Sequence, residues 1–146
     1  MSVVYLVDNS VIQRLHRSPE VRAGRDALLQ TGELAVCLPT VLEAGFSARS
    51  QAEHQRELEA YVTAWVVLRP APEIMEIALG LQTGLFKAAK GRSVGVSDLQ
   101  IAATALHHST QEHPVVIAHY DADFDHLASV EPSLRTHWVV PKGTVD

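Results

Sequence analysis

Acidic side chains stand at four places where gathered carboxylates could do chemistry: Asp8, Glu43, Asp98, and the triple Asp121, Asp123, Asp125. Carboxylates brought together without nearby Lys or Arg repel one another, and each has its pKa raised. A bound Mg²⁺ or Mn²⁺ removes that penalty, since hard divalent cations take carboxylate oxygens and keep waters for a substrate. Each acid also has an ordinary structural use. Thr40-Val41-Leu42-Glu43 and Ser97-Asp98-Leu99-Gln100 read as capping boxes, in the first of which Glu43 would bond back to the Thr40 amide. Asp98 suits a first helical turn through the macrodipole, and Asp8 before Asn9, Ser10, Val11 and Ile12 can cap a helix. The last block resembles the opening of a Ca²⁺ loop, but His126 stands where the Gly is needed and Pro132 where the terminal Glu belongs, so that motif fails. Taken singly, each acid is explained by structure; only joint placement would make a site.

The elements that must place them alternate along the chain. Short β-branched runs predict strands over Val3–Val7, Leu34–Leu38, Trp65–Leu68, Val115–His119 and His137–Val140. Between them, apolar residues at helical spacing predict helices over Glu20–Gln30, Thr40–Arg49, Gln51–Ala64, Glu73–Lys90 and Leu99–His107, with Asp125 opening a further helical segment. A β-α-β-α order with nearly continuous apolar strands predicts an α/β fold, a central parallel sheet covered on both faces. In open parallel sheets ligands bind beyond the carboxyl ends of the strands. Asp8 directly follows the first strand, Glu43 sits one turn into the helix after the second, Asp98 begins a helix, and Asp121 follows the fourth strand. Three of the four acids therefore fall on one sheet edge, and the fourth can join from a helix start.

The composition frames these expectations. At 146 residues, 47% hydrophobic and 20% charged, the chain suits one domain over 1–146 with one core. Aromatics are only 5%, which favours layered helices and parallel strands over an aromatic-rich sandwich. No apolar run approaches a membrane span of about 20 residues, and the start lacks a signal-peptide pattern, so a cytoplasmic location without membrane attachment is expected. The single cysteine, Cys37, lies in an apolar run and reads as a small buried hydrophobe. The net charge of −5 argues against a general electrostatic grip on nucleic acid, although a local basic rim could still hold phosphates. Lys87, Lys90 and Arg92, just upstream of Asp98, are the candidates for that rim; a solvated helix end is their structural alternative. The eight histidines include no His-x-x-x-His pair; His107 and His108 suit a helix C-terminus, and His119 reads as a packed residue beside Asp121. Trp65 and Trp138 read as core or dimer-interface residues.

Four blocks, Val-Tyr-Leu-Val-Asp8-Asn-Ser10, Pro-Thr-Val-Leu-Glu43-Ala-Gly, Val-Ser-Asp98-Leu-Gln-Ile-Ala-Ala-Thr-Ala and Val-Ile-Ala-His-Tyr-Asp121-Ala-Asp123-Phe-Asp125, resemble in order the acidic blocks of PIN-domain proteins. Among these, the chain is most similar to the VapC toxins of bacterial toxin–antitoxin pairs, over residues 3 to 140. It departs in having Asn9 where the family more often has Thr or Ser, and in offering three acids in its last block. The resemblance implies a three-layer α/β/α domain and a Mg²⁺- or Mn²⁺-dependent endoribonuclease silenced by a cognate VapB-like antitoxin, with homodimers expected. It implies Asp8, Glu43, Asp98 and Asp121 as direct or water-mediated metal ligands, Asp123 as an additional one, and Ser10 as the residue orienting Asp8 or a metal-bound water. The site needs no side-chain nucleophile if the cation activates water against an RNA phosphodiester. Two other functions compete: a PIN-like module that binds RNA or protein without cutting, which the intact acid set disfavours, and an aspartyl-phosphate chemistry at Asp8. For the latter, Ser10 stands where a dehalogenase-type motif wants a second Asp, and only Lys142 is offered as the late lysine of a receiver.

Overall fold

A computed structural model of the chain describes residues 2–146. Five strands, β1 (Val3–Val7), β2 (Gly32–Cys37), β3 (Val66–Leu68), β4 (Val115–His119) and β5 (Arg135–Trp138), form one sheet. Its order is β3-β2-β1-β4-β5 and every neighbouring pair is parallel. Parallel neighbours need crossovers. Helices α1 (Asn9–Ile12), α2 (Pro19–Leu29), α3 (Leu38–Phe46), α4 (Gln51–Ala64), α5 (Pro72–Lys87), α6 (Val96–His108) and α7 (Asp123–Val130) provide them.

Successive strand residues face opposite sides, and the core divides accordingly. Leu6, Ala35 and Ile117 bury against Leu85, Ile101, Phe124 and Leu127 of α5, α6 and α7. Val7, Leu34 and Ala118 bury against Val11, Val21 and Leu28 of α1 and α2, together with Val139. This is the three-layer α/β/α arrangement that the alternation predicts, and Cys37 is buried as expected, 1% exposed. A Cβ on Gly32 would stand 2.3 Å from the Val3 carbonyl oxygen, so β2 can begin beside β1 only with glycine there. No described helix is long and apolar enough to cross a membrane.

β1 and β4 match the expected bounds, and the differences elsewhere have local causes. Leu38 leaves β2 to open α3, which starts before Thr40 because Pro39 is tolerated in a first turn, where its missing N–H would have no partner. The same device starts α2 at Pro19 and α5 at Pro72. α6 begins at Val96, not Leu99, placing Ser97 and Asp98 inside its first turn with Gly95 as the cap. β5 is Arg135–Trp138 instead of His137–Val140, since its register follows β4, from Val116 against Arg135 to His119 against Trp138. Helix α1 was expected only as a possible cap at Asp8, and α7 begins at Asp123, two residues before Asp125.

Candidate active site

The chain leaves β1 toward β2 on one side of the sheet, while β4 lies on the other, so the connection direction reverses between β1 and β4. That is the switch point where a crevice opens beyond the carboxyl ends. Asp8 and Asp121 stand on its two sides.

Asp8 is tied at both ends. Its amide donates to the Ala118 carbonyl of β4 at 2.9 Å. Its carboxylate Oδ2 accepts the Ser10 amide at 3.0 Å, capping α1. The structural use read from sequence is therefore real, and it does not exclude the chemical one: capping engages Oδ2 while the carboxyl stays beside the other acids. Ser10 is where resemblance places an orienting residue, and its hydroxyl accepts the Tyr120 amide at 2.9 Å across the switch point.

Asp8, Asp98 and Asp121 each offer a carboxylate oxygen such that all three lie within 4.8 Å of one another. Burial pushes the Asp8 carboxyl up from its usual range, with Asp121 adding like-charge repulsion, and bonds from Ser10 offset part of this. Asp98 is pushed up to about 8, first by burial, then by Asp8 and Asp121 and by a hydrogen bond with Asp123. Asp123 thus reaches the site from the start of α7. It does so by a turn, not by the extended chain that would align residues two apart: Asp121 Oδ1 accepts the Asp123 amide at 2.9 Å and opens the helix.

Glu43 lies alongside the trio. Its carboxyl is raised by burial, then by Asp8 and Asp121, and is partly relieved by a hydrogen bond from Ser97. Neither capping box forms: Thr40 and Ser97 sit within helices capped by Cys37 and Gly95, and the buried Thr40 hydroxyl pairs with the Cys37 thiol at 3.4 Å. Glu43 Oε1, released from that use, is buried without a hydrogen-bond partner among the described residues. A cavity of about 400 Å³ opens beside it, bounded by Asn9, Leu42, Phe46, Ser97 and Gln100. Ser97 is a residue that sequence reasoning assigned only to capping; its place next to Asp98 on α6, lining one cavity with Glu43 of α3, becomes informative only in three dimensions.

No lysine or arginine pairs with these acids; the one ion pair among the described residues is Arg25 with Asp26. Three converging carboxylates, a fourth with an orphaned buried oxygen, and no cationic neighbour form a donor set suited to a hard divalent cation. Asp125 points elsewhere, accepting the Trp138 indole N–H at 3.2 Å. Of the expected basic rim, Lys87 and Arg92 are exposed, while Lys90 Nζ donates to Ser129 Oγ at 2.9 Å and braces the turn after α5 against α7. His119 is fully buried, as a packed histidine should be, between Phe124 and Trp138 at ring distances of 5.0 and 4.9 Å. Trp65 and Trp138 are half-buried, Trp65 edge-on to Tyr61. His108 ends α6 as expected, its ring bonded to the Arg69 carbonyl at 2.8 Å.

Comparison with known proteins identifies the family. The PIN domain model matches residues 5–130. Ribonuclease VapC51 of Mycobacterium tuberculosis is 40% identical over 146 residues, covering all of both chains, and ribonuclease VapC21 of the same species is 37% identical over 145 residues and 99% of each. The fold is shared with VapBC-1 from nontypeable Haemophilus influenzae, with a TM-score of 0.73 at 20% identity over 93% of this chain and 98% of that one. It is shared also with VapBC2 from Rickettsia felis, solved bound to a DNA fragment from their promoter, with a TM-score of 0.71 at 14% identity over 92% and 97%. A fold with its acids at the β1/β4 switch point, a domain match over most of the chain and full-length relatives place it together: the chain belongs to the PIN-domain family, among the VapC ribonucleases.

Proposed function

We propose that the protein is a Mg²⁺- or Mn²⁺-dependent endoribonuclease, the toxin of a toxin–antitoxin pair, that hydrolyses RNA phosphodiester bonds with a metal-activated water. The convergence of Asp8, Asp98 and Asp121 within 4.8 Å, with no cationic side chain paired to any of them, carries the reading. Asp8, Asp98 and Asp121 would hold the cation, directly or through water. Glu43 would hold it directly or through water with its unpartnered Oε1, and Asp123, which adds to the raised pKa of Asp98, would be an additional ligand. A bound cation would make water a nucleophile at neutral pH and offset charge developing on the phosphate. Ser10 keeps the Asp8 turn and the Tyr120 turn at fixed separation. The exposed Lys87 and Arg92 contact flanking phosphates, with Lys90 bracing the same turn. RNA as substrate is supported by the names of the full-length relatives. A VapB-like antitoxin as partner is supported by VapBC assemblies of the same fold. A homodimer is what the family resemblance implies.

The test is cleavage of total RNA by purified protein with EDTA, Mg²⁺ or Mn²⁺, against Asp8→Asn, and mass measurement of the protein alone. Cleavage that needs metal and Asp8 supports the reading. RNA binding with no cleavage under any metal would replace it with the non-catalytic module.

A further inference from the structure

His119, the last residue of β4, is 0% exposed and sits two residues before Asp121. Its Nδ1 accepts the Asp121 amide at 3.2 Å. A neutral imidazole has one acceptor and one donor nitrogen, so the proton is on Nε2. That nitrogen is buried with no hydrogen-bond partner among the described residues. An unpartnered buried N–H destabilises a fold relative to an apolar group of similar shape. Packing between Phe124 and Trp138 would be served as well by an apolar side chain. The feature that an apolar residue lacks is the acceptor at Nδ1.

The turn made by that acceptor is the one Asn and Asp make when a side-chain oxygen accepts the amide two residues on. Asp121 then repeats the motif on Asp123. Two such bonds in series, 119 to 121 and 121 to 123, bend the chain out of β4 toward the crevice and into α7, and Ser10 fixes Tyr120 between them. We propose that His119 is a positioning residue, whose Nδ1 sets the turn that aims the Asp121 carboxylate at Asp8 and Asp98. The consequence for metal binding rests on the function proposed above; the consequence for the turn does not.

Two substitutions separate this role from packing. His119→Asn places an oxygen at the same bond position as Nδ1, keeping the acceptor while losing ring volume. His119→Leu keeps the volume and loses the acceptor. If His119 acts through the turn, the leucine variant is the more stable of the two yet binds Mn²⁺ about tenfold more weakly than wild type, while the asparagine variant melts lower but stays within about threefold. Amide hydrogen exchange at Asp121, followed by NMR in EDTA, reads the turn without metal: slow in wild type and His119→Asn, faster in His119→Leu. Equal exchange at Asp121 in all three proteins, or Mn²⁺ affinity that tracks melting temperature instead of the acceptor, overturns the proposal. Wild type that exchanges slowly at Asp121 but binds no Mn²⁺ leaves the turn supported and overturns the metal reading.

Discussion

The Ser10 hydroxyl accepts the Tyr120 amide at 2.9 Å, joining residues 110 positions apart. Ser10 lies just past Asp8 and Tyr120 just before Asp121, so this bond fixes two of the three converging acids against one another. Ser10→Ala leaves a half-buried amide without its acceptor. It should reduce stability by about 1 kcal/mol, and should weaken Mn²⁺ affinity more than a comparable deletion on α4, such as Thr63→Ala. Calorimetric titration of both variants checks this; equal affinities would make Ser10 only a fold residue.

Asp8→Asn retains the oxygen that accepts the Ser10 amide, so the cap on α1 survives. It removes one charge from a repelling trio. The metal-free variant should therefore melt at or above wild type while losing cleavage by at least about 100-fold, since even outer partners of metal ligands cost about 10–100-fold. Near-normal cleavage by folded Asp8→Asn would remove this acid from the mechanism.

Divalent metal should stabilise the native protein. Binding to the folded state alone contributes about 2.7 kcal/mol at a hundredfold excess over the dissociation constant, a shift in Tm of roughly 5–10 °C for a chain of this size. Glu43→Gln keeps an amide for Ser97 but loses the charge behind the orphaned Oε1, and should lose part of the shift. An unchanged Tm across millimolar Mg²⁺ and Mn²⁺, measured by differential scanning fluorimetry, contradicts the site.

The raised Asp98 pKa, about 8, fixes the sign of a pH dependence. Between the unfolded carboxyl value of 3.8 and about 8 the native state holds a proton that the unfolded chain has released, so metal-free stability falls as pH rises through this range. Below pH 6.5 the lowered His119 pKa works in the opposite direction, because the unfolded chain then binds the extra proton. The clean window is pH 6.5 to 8. In EDTA, wild type should lose stability across it more steeply than Asp98→Asn, and Mn²⁺ affinity of wild type should rise across the same window as the competing proton leaves. Parallel denaturation curves for the two proteins at both pH values would refute the assignment.

Within the last acidic block, Asp121 should matter most, Asp123 next and Asp125 least. Asp121 is one of the three converging carboxylates, Asp123 is near enough to Asp98 to add to its raised pKa, and Asp125 holds the Trp138 indole. Asn at 125 still offers an oxygen to that indole, so Asp125→Asn should cleave RNA within about threefold of wild type, Asp123→Asn should fall about tenfold, and Asp121→Asn about 100-fold. Cleavage assays in Mn²⁺ on the three variants rank them; an inactive Asp125→Asn beside an active Asp121→Asn would reverse the order.

The amino-acid order by itself determines the alternation of strands and helices, because β-branched runs and helical periodicity are local properties; β1 and β4 are legible to the residue. It also determines that Asp8 and Asp121 leave strands at carboxyl ends, since in a parallel sheet every strand ends on the same edge. Tertiary structure alone decided that β4 pairs with β1, which makes their shared edge the switch point and turns two distant acids into neighbours. It also decided what the helix starts do. Thr40 and Ser97 have the spacing of capping boxes, but α3 and α6 are capped three and two residues earlier, at Cys37 and Gly95, and that short advance frees Glu43 and Ser97 for the site. The role of His119 was hidden for the same reason: an acceptor two residues before an acid is common in sequence, and only burial between Phe124 and Trp138 fixes which nitrogen faces the Asp121 amide.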